Sequence, residues 1–140
     1  MKIARFHGKI VKGKGLGRTV GMPTLNLQWD SIEAEIYPPY GVYISKLTMG
    51  LQYYYGVTNF GYRPSVDAED RVTLETFLMD FNGEGLGEEV EVELLYFLRS
   101  TQKKASLEDV KLMVEHDMAS AKTWLLQNQA RKEKIYDPGY

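Results

Sequence analysis

The chain has 140 residues, 44% of them hydrophobic, with a formal net charge of −2 and no cysteine. That length fits one domain with its own core, and the absence of cysteine excludes disulfides, thiolate metal sites and cysteine nucleophiles. The near-neutral balance creates no overall field to recruit nucleic acid, no run is long and apolar enough to span a membrane, and Met1-Lys2-Ile3-Ala4-Arg5 does not lead into a signal-peptide core. A cytoplasmic, monomeric protein with no nucleic-acid or membrane partner is the expectation.

In chain order, residues 3–11 read as a first strand. A glycine-rich stretch follows, holding Gly8, Gly13, Gly15, Gly17 and Gly21 with Lys9, Lys12, Lys14 and Arg18 interleaved, and closing on Pro23-Thr24-Leu25-Asn26. Free N–H groups in such a loop can cradle an anion, and the basic side chains add attraction for phosphate. Thr24 and Asn26, two apart after a proline, face the same side if the segment is extended. Their hydroxyl and amide oxygens suit a hard cation such as Mg²⁺. A P-loop is excluded because Gly15 stands where Ser or Thr is required, and a dinucleotide fingerprint because Gly15-Leu16-Gly17 ends on Val20. The bland alternative is a glycine-rich hairpin with solvated lysines.

A short extended piece runs through Leu25 and Leu27, and residues 30–40, with Pro38-Pro39, read as a loop. Residues 41–47 and 51–57 read as strands around the Met49-Gly50 turn, the second rich in tyrosine. Residues 59–70 read as a turn-rich connection, 72–81 as a strand and 82–87 as a glycine-punctuated loop. From Glu89 the chain alternates, with Val90, Val92 and Leu94 on one side and Glu89, Glu91 and Glu93 on the other, as in a half-buried strand to residue 98. Ser106-Leu107-Glu108-Asp109 resembles a helix capping box, and Val110, Met113, Val114, Ala121, Trp124 and Leu125 recur at helical spacing. His7 and His116 are too far apart in sequence to suggest a metal site. The division is a domain over residues 1–128 and a frayed tail over 129–140. Five or six strands and one late helix predict an antiparallel barrel or sandwich closed by a C-terminal helix.

One carboxylate stands out. Period two places Glu75 on the face of Phe77, Met79 and Phe81. A carboxylate on an apolar face is costly unless partnered, and such surroundings can tune it as a general base. The alternative is a side chain tipped into solvent or onto a neighbouring cation.

Taken together, these segments resemble the riboflavin kinase (flavokinase) family. The glycine series leading to Gly21, Pro23-Thr24 and Asn26-Leu27 resembles its opening signature. Gly41-Val42-Tyr43, Gly56-Val57-Thr58-Asn59-Phe60-Gly61-Tyr62-Arg63-Pro64-Ser65, Leu74-Glu75-Thr76, Leu98-Arg99 and the helix with Asp117 and Ala121 are similar to its later blocks, in order. The resemblance implies a mainly β fold, a six-stranded antiparallel Greek-key β-barrel with a C-terminal α-helix. It implies transfer of the ATP γ-phosphate to the ribityl 5′-hydroxyl of riboflavin, giving FMN and ADP. It further implies that Gly8, Gly13, Lys14, Gly15, Gly17, Arg18, Gly21, Pro23, Thr24 and Asn26 bind nucleotide phosphates, that Thr24 and Asn26 hold Mg²⁺ (Zn²⁺ or Mn²⁺ as alternatives), and that Glu75 is the base. Arg99 and Phe77 fall at the flavin side.

The flavin half departs from the pattern. Phe77 follows Glu75-Thr76 where the family has His, and Gly85-Leu86-Gly87 stands for its D-x-Y-G element. Ser100-Thr101-Gln102-Lys103-Lys104 stands where the family reads P-E-x-x-F, so its glutamate and aromatic are missing or displaced. A flavin- or nucleotide-binding module with weak catalysis is therefore the second reading.

Overall fold

The computed structural model describes residues 2–12, 24–63, 71–83, 85–101 and 107–135. Six strands and a helix follow one another: β1 (Ala4–Val11), β2 (Thr24–Glu33), β3 (Gly41–Met49), β4 (Gln52–Arg63), β5 (Arg71–Leu78), β6 (Glu89–Arg99) and α1 (Leu107–Ile135). The strands close into a barrel in the order β1-β2-β5-β4-β3-β6, and every neighbouring pair is antiparallel. Strand β2 returns beside β5 across the β3-β4-β5 meander, which is a Greek-key connection. The barrel with a C-terminal helix implied by the resemblance is the fold the chain adopts.

Alternation builds the interior. Phe6, Ile10, Leu25, Leu27, Tyr43, Leu47, Phe60, Leu74, Val92 and Leu94 meet inside the barrel, each apolar side chain of this size contributing about 1.5–3 kcal/mol when buried. A polar thread crosses that core: the Thr58 hydroxyl donates to Ser45 at 2.7 Å and lies 2.8 Å from that of Thr76, so these buried oxygens satisfy one another. Tyr43 is wholly buried and its hydroxyl donates to the Pro39 carbonyl; burial raises its pKa above the ordinary phenol value.

A second cluster forms outside the barrel wall. Val42, Ile44, Val57 and Phe77 point away from the interior and are covered by Val114, Met118 and Ala121 of α1. The guanidinium of Arg99 fastens the helix by donating from Nε and Nη2 to the two carboxylate oxygens of Asp117, at 2.9 and 2.7 Å.

Several expected boundaries differ, for physical reasons. Strand β2 runs on through Asp30 and Ser31, whose polarity suggests a loop; the register with β1 jumps between His7 and Gly8, leaving Asp30 as the extra residue of a bulge. Strand β4 reaches Arg63, absorbing Asn59 and Gly61. Strand β5 ends at Leu78, before a turn in which Asp80 has φ of 57°, so Phe81 turns into the barrel core and does not share the Glu75 face. The even alternation of β6 breaks after Leu94, where the register with β3 shifts twice. The helix continues to Ile135, into the stretch over 129–140 that reads as a frayed tail.

Candidate active site

Register builds the site. Thr24 stands opposite Phe77, and Asn26 opposite Glu75. On the other side of β5, Glu75 stands opposite Asn59 and Phe77 opposite Val57. Directly opposed residues of antiparallel strands share a face with Cβ atoms about 4.5–5.5 Å apart. Asn26, Glu75 and Asn59 therefore form one row on the outer wall, and Thr24, Phe77 and Val57 the next row toward the cover of α1. Glu75 is 6% exposed.

The Thr24 hydroxyl is buried and has no hydrogen-bond partner among the described residues. A buried hydroxyl oxygen without a partner is costly unless something else occupies its lone pairs. It begins β2 directly after the glycine-rich segment and lies within one row of a carboxylate and an amide. These are oxygen donors, the set a hard divalent cation selects. Among the described residues no group of three or more His, Asp and Glu side chains could hold a metal ion by itself. A cation with one or two protein oxygens and the rest of its shell from substrate phosphates and water fits that donor set.

The remaining residues named from sequence are placed as follows. Gly13, Lys14, Gly15, Gly17, Arg18, Gly21 and Pro23 lie outside the described residues. Gly8 lies within β1, where a Cβ would stand 2.1 Å from the Gln28 carbonyl oxygen and 2.6 Å from the Trp29 Cα. Close approach of β2 at the bulge thus demands glycine there, whatever ligand is present. Phe77 is packed beneath α1. Arg99 joins the Asn59 row through Val42, and its guanidinium is engaged by Asp117.

Two residues at the site escape a strand-by-strand reading. Asn59 falls in what reads as a connection, and its only sequence signal is its place in the family-like block from Gly56 to Ser65. The Thr101 hydroxyl donates to its Oδ1 at 3.0 Å, so the residue standing at the family's glutamate position reaches the row that holds Glu75. Beyond Thr101 lie Tyr37 and Tyr40. Burial is the first cause that raises the pKa of Tyr37, followed by its hydrogen bond to Tyr40.

A separate groove of about 400 Å³ is lined by His7, Lys9, Asp30, Glu89 and Glu91 among others. It shares no residue with the Glu75 row, and its three carboxylates oppose a polyphosphate by like charge.

Comparison with known proteins gives the class. The family model for the flavokinases, described as riboflavin kinase, matches residues 2–125. The chain therefore belongs to the riboflavin kinase family. Over 121 residues it is 34% identical to a bifunctional riboflavin kinase/FMN adenylyltransferase of Haemophilus influenzae, covering 86% of this chain and 38% of that protein. Over 113 residues it is 36% identical to the RNA-binding riboflavin kinase RibR of Bacillus subtilis, covering 80% and 47%. The chain thus spans less than half the length of these relatives. Among solved structures, the riboflavin kinase of Trypanosoma brucei shares the fold, with a TM-score of 0.61 and 16% identity over all of this chain and 92% of that one. A Streptococcus pneumoniae structure described as a macrolide-efflux protein superposes with a TM-score of 0.73 and 28% identity, over 86% of this chain and 38% of that one. No helix among the described residues is long and apolar enough to cross a membrane.

Proposed function

We propose that the chain transfers the γ-phosphate of ATP to the ribityl 5′-hydroxyl of riboflavin, giving FMN and ADP. The observation that carries this reading is the buried Glu75 carboxylate set between Asn26 and Asn59, one row from the Thr24 hydroxyl, which has no hydrogen-bond partner among the described residues. Family membership supplies the substrates.

Phosphoryl transfer asks little covalent chemistry of a protein; it needs positioning, charge neutralisation and a base to orient the nucleophile. Glu75 takes the proton of the 5′-hydroxyl as that oxygen bonds to the γ-phosphorus and the bond to the β–γ bridging oxygen breaks. Thr24 and Asn26 would hold the divalent cation, Mg²⁺ first and Zn²⁺ or Mn²⁺ as alternatives, through the threonine hydroxyl and the amide oxygen. When bound, it neutralises the phosphate oxygens. The backbones of Thr24 and Asn26 are paired in the β2–β5 ladder, which sets both side chains on one face before the nucleotide arrives.

The experiment is incubation of the purified protein with ATP, Mg²⁺ and riboflavin, with FMN and ADP followed by chromatography. Formation of both in equal amounts is expected, and Glu75→Gln should lose about 10²-fold or more of turnover while still binding nucleotide. Full activity of Glu75→Gln would dismiss the base assignment. Tight FMN binding without ADP release would favour the binding-module reading, which the replacements at Thr101 and Phe77 motivate.

A further inference from the structure

The rows on the outer wall have a direction. Thr24 opens β2 next to the glycine-rich segment, Asn26, Glu75 and Asn59 form the following row, and Gly61 pairs with Thr73 in the row beyond. In-line displacement sets the acceptor oxygen opposite the departing nucleotide. If the nucleotide lies on the Thr24 side, the body of the acceptor extends from Glu75 over Thr73 and Gly61.

That end of the wall is unusual in two ways. Gly61 is buried but carries no side chain; a Cβ there would meet Tyr40 Cβ at 3.6 Å, Thr101 Oγ1 at 3.7 Å and Tyr40 Cγ at 3.8 Å. Beside it stand two large aromatics that remain in water, Tyr37 at 58% and Tyr40 at 43% exposure. Both rings rest on the fully buried Phe60, with centroids 5.8 and 5.3 Å from it, and they meet each other edge to face at 6.5 Å. They thus cap the end of the barrel interior on Phe60, and Tyr40 also borders Gly61 on the outer wall, an aromatic surface open to water and suited to a flat aromatic ligand.

The spacing agrees with the substrate. Two residues of strand cover roughly 6.6 Å, comparable with an extended five-carbon ribityl chain. An acceptor whose terminal hydroxyl meets Glu75 therefore brings its ring system to the Thr73–Gly61 row, beside Tyr40. The other aromatic and the cation expected at the flavin side are occupied elsewhere: Phe77 is 6% exposed beneath α1, and Arg99 is held by Asp117.

We propose that Tyr40, backed by Tyr37, is the surface against which the isoalloxazine ring of the flavin lies, replacing the aromatic that this chain lacks after Leu98-Arg99. This rests on the kinase reading above for the direction of the acceptor.

The test uses the intact protein with Mg²⁺, ATP and riboflavin, in wild type, Tyr40→Leu, Tyr40→Phe and Tyr37→Leu. Tyr40→Leu should raise the KM for riboflavin about ten-fold, with the KM for ATP unchanged; Tyr40→Phe should restore it, and Tyr37→Leu should raise it less. A phenol stacked on the ring quenches flavin emission by electron donation, so riboflavin should dim on binding to wild type and stay bright when saturating Tyr40→Leu. Because both tyrosines are largely exposed, circular dichroism is expected to match across the set; if Tyr40→Leu fails to fold, the emission of flavin on Tyr40→Phe and Tyr37→Leu decides. An unchanged KM and unchanged quenching in folded Tyr40→Leu or Tyr37→Leu would overturn the proposal. A wild type that makes no FMN defeats the kinase reading separately, and the emission titration then judges the tyrosine surface alone: binding without quenching, or no binding, overturns it.

Discussion

Arg99 and Asp117 lie 18 positions apart and meet through two parallel N–H···O bonds, tying the end of β6 to the middle of α1. Asp117 is 5% exposed in its side chain and Arg99 24%, so the pair is shielded on the helix side and partly hydrated on the other. It secures the helix whose Val114, Met118 and Ala121 cover the wall beside Glu75. Removing the carboxylate strands a half-buried guanidinium. Asp117→Ala is expected to cost about 2 kcal/mol, read as a lower denaturation midpoint, and Asp117→Asn less because one acceptor survives. Equal stability of Asp117→Ala and wild type would show that the pair does not hold the helix.

Gly8 offers a test that separates strand packing from ligand binding. Any β-carbon there collides with the Gln28 carbonyl oxygen and the Trp29 Cα, both of them backbone that cannot swing aside. Gly8→Ala should therefore destabilise the fold by about 1–3 kcal/mol, as overpacking does, in the absence of any nucleotide. A variant as stable as wild type but weaker for ATP would assign the glycine to the ligand instead.

Much of this is readable from the chain before any coordinates. The alternation of Val90, Val92 and Leu94 with three glutamates marks β6, and the spacing from Val110 to Leu125 marks the helix, because each pattern has one wet face and one dry one. The pattern fails where the register slips. Past Leu94 the β6–β3 ladder shifts twice, and Asp30 is the odd residue of a bulge, so polar residues there look like loop while their backbones stay paired. At the site, period two finds Glu75 beside Phe77 but also enlists Phe81, which the left-handed Asp80 turns into the barrel. What alternation within one strand cannot carry is which strands lie side by side. The rows Asn26–Glu75–Asn59 and the Thr101 to Asn59 bond, 42 positions apart, exist only once the barrel has closed.

The Tyr43 phenol predicts behaviour at alkaline pH. Burial raises its pKa above the ordinary value. A group that holds its proton more tightly when folded contributes stability in full below the unfolded pKa, about 10 for tyrosine. That contribution is lost as pH climbs through the raised folded value. Stability should be level with respect to this group up to about pH 9 and fall above pH 10. Tyr43→Phe should cost about 1 kcal/mol at neutral pH by deleting the bond to the Pro39 carbonyl, and should decline less steeply above pH 10. Parallel alkaline curves for the two proteins would show that Tyr43 does not govern the fall.

Thr24 gives the sharpest contrast between stability and activity. Its hydroxyl is buried without a hydrogen-bond partner among the described residues, and a desolvated oxygen left in that state costs a fold stability. Thr24→Val keeps the β-branched shape in a strand and removes the desolvated oxygen. The variant should be as stable as wild type or more so, by up to about 1–2 kcal/mol. If that oxygen is reserved for a metal-bound nucleotide, the same change should raise the Mg²⁺ concentration needed for half-maximal FMN formation, while Thr24→Ser restores it. Such opposed effects are expected where a binding site is bought with local instability. Denaturation and Mg²⁺ titration of the three proteins decide the matter: a valine variant that is less stable and has an unaltered Mg²⁺ requirement would make the hydroxyl structural.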